Sequence, residues 1–153
     1  RLERLTPFAA CEATSGLPLE PGHVLVAPGG RHLEFETRGG RIVTLVRDDA
    51  GADRYSPSVD RLFASAAKHF GADVLGVVLT GMGDDGRAGS LAIRAAGGSV
   101  IAESEETAVI FGMPRQAIEA GAVERVLPLH EIAAAIQSGV RSAVRATPGQ
   151  VAR

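Results

Sequence analysis

"VLGVVLTGMGDDGRAG", residues 74–89, decides the fold. The apolar run over 74–79 has the length of a buried strand, and a glycine-rich turn hands it to a helix-like run that opens near Gly86. The spacing Gly81-x-Gly83-x-x-Gly86 stands where a dinucleotide-binding loop would stand, between a strand and a helix. Downstream the same rhythm continues, with a helix predicted over 87–96, a strand over 99–102, a helix from the end of that strand to about 120, a strand over 123–127 and a helix over 130–144. Pro114 should interrupt the middle helical stretch, with "PRQAIEAG" starting afresh at the proline and closing at Gly121. Such alternation predicts right-handed βαβ units: an α/β fold with a doubly wound parallel sheet in three α/β/α layers.

Upstream, "YSPSVDRLFASAAKHFG" (55–71) reads as a helix. Ser56 is placed as N-cap and Pro57 as the first helical residue; Val59, Leu62, Phe63, Ala66 and Phe70 share one face, and Gly71 ends it. Before it, "HVLVAPGG" is an apolar run, "HLEFE" alternates Leu33 and Phe35 with Glu34 and Glu36, and Gly39-Gly40 suits a type I′ turn. A β-hairpin insertion near residues 23–47 is expected. "TSGLPLEPG" is a loop by its glycine and proline content; "RLERL" (1–5) reads as the end of an amphipathic helix, so that the chain starts inside an element; 146–153 reads as a frayed tail.

A chain of 153 residues fits a single domain over 1–153. With 16 basic against 18 acidic residues and no basic cluster, it lacks the footprint of a duplex-binding protein, so no nucleic-acid partner is expected. The single cysteine, Cys11, sits in no ligand spacing and fits a reducing cytoplasm; no structural metal is expected. No apolar run approaches a bilayer's thickness, which argues against membrane insertion.

The loop's chemistry opposes a pyrophosphate. Asp84 and Asp85 would lie beside a dianion, where one like-charge pair costs on the order of 4 kcal/mol near a surface. Glu103, Glu105 and Glu106 stand at about the spacing of a ribose ligand, but acidic residues after a strand are common. Two structural readings compete: an aspartate, Asp84 first, capping the helix near Gly86, or both holding Mg²⁺ through water, for which no third carboxylate is near in sequence. A further reading makes one carboxylate the orienting acid of a nucleophile–histidine–acid triad, with backbone amides of the loop facing an oxyanion.

The blocks "VVLTGMGDDGRAG", "IAESEETAVIFGMPRQAIEAGAVERVLPLHEIAAAI", "PGHVLVAPGGRHLEF" and "YSPSVDRLFASAAKHFG" resemble, in order and spacing from Leu2 to Ile136, the catalytic domain of CheB, the chemotaxis protein-glutamate methylesterase family. The resemblance implies a hydrolase of glutamate γ-methyl esters on the cytoplasmic helices of methyl-accepting chemotaxis receptors, with a related glutamine deamidation, a serine–histidine–aspartate triad and no cofactor or metal. It places the catalytic aspartate at Asp85 and the amide lining the oxyanion site at Met82; Asp84 falls on a variable position. Phe111 to Ile118 also match, with no chemical role attached. A receiver domain often precedes such a domain. The family's serine and histidine lie upstream of the helix whose end corresponds to "RLERL", so the expectation is the C-terminal portion of a catalytic domain, inactive alone. His23, His32, His69 and His130, and Ser15, Ser56 and Ser58, are read as structural, and Cys11 as no nucleophile. Two alternatives stand beside this: a non-catalytic receptor-docking or regulatory module, and a nucleotide-binding α/β domain.

Overall fold

The computed structural model describes residues 6–49, 51 and 53–146, with 140–146 as backbone only. Residues 1–5 and 147–153, where the helix end and most of the frayed tail were expected, lie outside the described residues, and Ala146 is the last residue of a helix.

The fold is α/β, with a three-stranded parallel sheet ordered β5 (Leu75–Val78), β6 (Ser99–Glu103), β7 (Arg125–Leu127). Between them run α2 (Arg87–Ala95) and α3 (Met113–Glu119), and α4 (Leu129–Ala146) follows β7. Strand alternation sorts the side chains to two faces. Val78 and Val100 pack with Ile93 of α2, Ala117 of α3 and Ala67 of α1 (Val59–Phe70), while Ile101 of β6 packs with Ile132 and Ala135 of α4. These are the outer layers of the expected α/β/α arrangement. Gly76 allows the helical layer to approach the sheet, since a Cβ there would lie 2.9 Å from Ile93 Cδ1 and 3.2 Å from the Phe63 ring.

The hairpin is β3 (Arg31–Arg38) and β4 (Arg41–Asp48), antiparallel, turning at Gly39 (φ +58°) and Gly40 (φ +77°), the two positive dihedrals a type I′ turn requires. It packs on α1 through Phe35, whose ring meets that of Phe70 edge-on at 5.4 Å. The apolar run at 23–26 is not part of the hairpin: β2 (His23–Val26) pairs in parallel with β1 (Ala9–Glu12), a strand that the loop-like flanks conceal in the sequence.

Two helix boundaries differ from expectation. Ser58, not Ser56, caps α1: its backbone is extended and its Oγ accepts from Arg61 N (3.4 Å), while Ser56–Pro57 is a cis peptide outside the helix. The stretch after β6 is turn and loop as far as Gly112, and only Met113–Glu119 is helical. Its first residues are used otherwise: Thr107 Oγ1 donates to Glu103 and accepts from Leu129 N (both 2.9 Å), tying the loop to β6 and α4.

Candidate active site

Asp85 follows β5 on the turn that leads into α2. Its carboxylate is 5% exposed and accepts four hydrogen bonds: Oδ1 from Ser58 Oγ (3.1 Å), Asp60 N (2.9 Å) and Gly86 N (3.1 Å), and Oδ2 from Val59 N (2.7 Å). Asp85 therefore closes the amino end of α1, whose first amides have no partner within the helix. The exchange is mutual: Asp60, in the first turn of α1, accepts from Gly89 N of α2 (2.7 Å), and α2 has no side-chain cap of its own. The helices can exchange caps because Gly89 lets them touch, a Cβ there standing 2.6 Å from Phe63 Cβ and 3.0 Å from the Asp60 backbone. An ionised carboxylate offers about two acceptor sites per oxygen. Oδ1 is saturated, and Oδ2, with one donor, retains room for a second.

Asp84 points elsewhere, which corrects the expectation that it caps α2. Its half-exposed carboxylate accepts from Tyr55 Oη (2.8 Å) and pairs with Arg54 (3.4 Å). A phenol already lies against the turn at Gly83, whose missing Cβ leaves room for it. Met82 carries a side chain that is 78% exposed, and its backbone N–H has no hydrogen-bond partner among the described residues.

Two of the three acidic residues at a ribose ligand's spacing are engaged elsewhere, and the third, Glu106, is exposed. Glu103 is 1% exposed, its Oε2 accepting from Thr80 N (2.8 Å) and its Oε1 from Thr107 Oγ1 (2.9 Å), so it braces the loop from beneath instead of facing a ligand. Glu105 pairs with Arg115 at 3.2 Å.

Among the histidines, His23 and His130 are exposed, and His69 Nδ1 lies 3.5 Å from Thr37 Oγ1. His32 is 1% exposed, with Nε2 3.2 Å from Asp53 and 3.8 Å from Asp49, a grouping of possible cation ligands that sequence spacing did not reveal. Its other contacts oppose a cation. Ser58 N–H donates to Nδ1 (3.3 Å), which leaves the ring proton on Nε2, whereas a ligating histidine presents a lone pair there and donates from its other nitrogen. Arg61 Nε already occupies Asp53 Oδ2 at 2.9 Å. Cys11 lies exposed on β1. A concavity of about 620 Å³ lies between the hairpin and α1, lined in part by Glu34, Arg47, Arg61 and Lys68. It excludes the 79–86 turn, and both arginines are engaged by Glu34 (3.0 and 2.8 Å).

The family model described as CheB methylesterase matches residues 1–136. The chain belongs to the CheB methylesterase family. It is 51% identical over 141 residues to a protein-glutamate methylesterase/protein-glutamine glutaminase of Myxococcus xanthus, covering 92% of this chain and 41% of that protein. A protein of the same name from Pseudomonas aeruginosa is 48% identical over 136 residues, covering 89% and 39%. The chain thus spans about two fifths of the length of these curated relatives. Among solved structures, the CheB methylesterase catalytic domain of Thermotoga maritima superposes with a TM-score of 0.75 at 38% identity, covering 79% of this chain and 64% of that one.

Proposed function

We propose that this chain is the C-terminal portion of a CheB-type catalytic domain and supplies the acid, Asp85, of a serine–histidine–aspartate triad that hydrolyses glutamate γ-methyl esters on chemoreceptor helices and deamidates certain receptor glutamines. The observation that carries the reading is the Asp85 carboxylate, buried at the end of β5, fixed by four donors and with acceptor capacity remaining on Oδ2. That is the construction an orienting acid needs, because it must hold an imidazole in one tautomer without moving itself.

The serine and histidine come from outside these 153 residues. The serine Oγ attacks the ester carbonyl as the imidazole takes its proton. Negative charge gathers on the carbonyl oxygen, which the Met82 N–H receives in this reading, while Asp85 stabilises the imidazolium. The imidazolium then protonates the leaving methoxide, methanol departs, and water cleaves the acyl-enzyme to free the glutamate. The setting is the cytoplasm, with receptor helices as substrate and a receiver domain governing access.

The test is hydrolysis of methylated receptor by a protein that carries this chain together with the serine and histidine. Asp85→Asn should lower kcat by about 10⁴-fold, the loss typical when a triad acid becomes an amide, and the 153-residue chain alone should release no methanol. A folded Asp85→Asn enzyme with undiminished turnover overturns the assignment.

A further inference from the structure

The segment Phe111–Gly112–Met113 received no role from sequence, and its contacts converge on one atom. Gly81 O accepts from both Gly112 N (3.1 Å) and Met113 N (2.8 Å), and Gly81 N donates to Ile110 O (3.0 Å), so that Gly81 is bridged to Phe111 in the manner of a parallel strand pair. Thr80 Oγ1 adds a bond from Ile110 N (2.8 Å). The Gly81 carbonyl is thereby fixed in direction.

Its peptide partner is the Met82 N–H. The Gly81–Met82 bond is trans, and across a trans peptide the C=O and N–H point to opposite sides of one rigid plane. With the carbonyl held against the start of α3, the Met82 N–H is aimed away from α3, and it is unpartnered among the described residues. Two donors on the carbonyl also polarise the amide and strengthen its N–H as a donor. Side-chain space enforces the arrangement. A Cβ on Gly112 would stand 2.7 Å from Gly81 O and 3.1 Å from Gly83 N, and a Cβ on Gly81 would strike the Met113 thioether. Gly112 has an ordinary negative φ of −93°, so close approach, not backbone conformation, requires glycine there.

We infer that Phe111–Gly112–Met113 is a positioning segment that orients the Gly81–Met82 peptide and so aims the amide that receives the oxyanion. This rests on the reading of Met82 N–H as the oxyanion donor. Gly112 and Met113 touch no reacting atom and act through that one peptide plane.

Two variants test it in the protein that carries this chain with the serine and histidine: Gly112→Ala, which drives a methyl against Gly81 O, and replacement of the Met113 amide by an ester, which deletes one donor and adds no bulk. Folding is checked by circular dichroism, and the ester variant decides if the alanine variant does not fold. The Met82 ¹H–¹⁵N resonance should shift in each, and kcat should fall roughly ten- to a hundredfold with KM within about twofold, the signature of an interaction made only in the transition state. An unmoved Met82 resonance in a folded variant overturns the positioning role whatever the kinetics. A moved resonance with unchanged kcat overturns the inference by a different route, because Met82 N–H is then not the oxyanion donor.

Discussion

Asp85 ties the amino end of α1 together whether or not an imidazole is present, so its substitutions separate two effects. Asp85→Asn keeps one oxygen but turns an amide group toward Val59 N–H, and should destabilise by about 1–3 kcal/mol; Asp85→Ala strands every donor and should cost about twice as much in urea denaturation. In the proposed triad role, asparagine should differ from the native acid far more sharply in catalysis than in stability. Asp49 shows a different dependence. The Gly51 amide (2.8 Å to Oδ1), with smaller contributions from Ser56 and the nearby His32 ring, outweighs the opposing effect of burial and holds its carboxyl below the usual aspartate range. A carboxyl depressed in the folded state gives its full stabilisation above the unfolded pKa, about 3.9, and loses it as pH falls through the lower folded value. The gap in unfolding midpoint between the native protein and Asp49→Asn should therefore be constant above about pH 5 and close below about pH 4 in acid titrations followed by circular dichroism.

Helices α1 and α2 are joined by their exchanged caps and by contact at Gly89. Gly89→Ala places a methyl 2.6 Å from Phe63 Cβ and against the Asp60 backbone, and should destabilise by about 1–3 kcal/mol in thermal melts, with the cap from Asp60 loosened as well. This joint also marks how far sequence reading reaches. The β5–turn–α2–β6 succession is legible because buried parallel strands are continuous apolar runs and glycines punctuate them; Gly39-Gly40 is legible because a glycine pair supplies both positive dihedrals cheaply. Family resemblance singles out Asp85 as a candidate acid, but the partners that hold it at 58–60 lie some 25 residues away and leave no local mark in the sequence. Pro57 makes Ser56 read as the cap because proline commonly opens a helix, whereas here it precedes the capping residue, Ser58. Strand β1 is four residues long and mostly exposed, so it carries no apolar alternation to read.

At the scale of the molecule, β5 is an interior strand by chemistry and an edge by position. Leu75 and Val77 face α4 while Gly76 and Val78 face the opposite helices, yet the order β5–β6–β7 leaves one side of its backbone without a strand among the described residues. Unpaired apolar edges recruit other chains. The 153-residue chain should thus self-associate reversibly, with a sedimentation coefficient that rises with concentration; monodisperse monomer across that range would contradict it. The exchanged caps bear on ancestry too. A descendant that abandoned ester chemistry would shed its serine and histidine freely, but dropping the aspartate would still unsettle two helices. Selection for a sound scaffold alone would retain it, so across genomes this acid records descent, and only the company it keeps records a working enzyme.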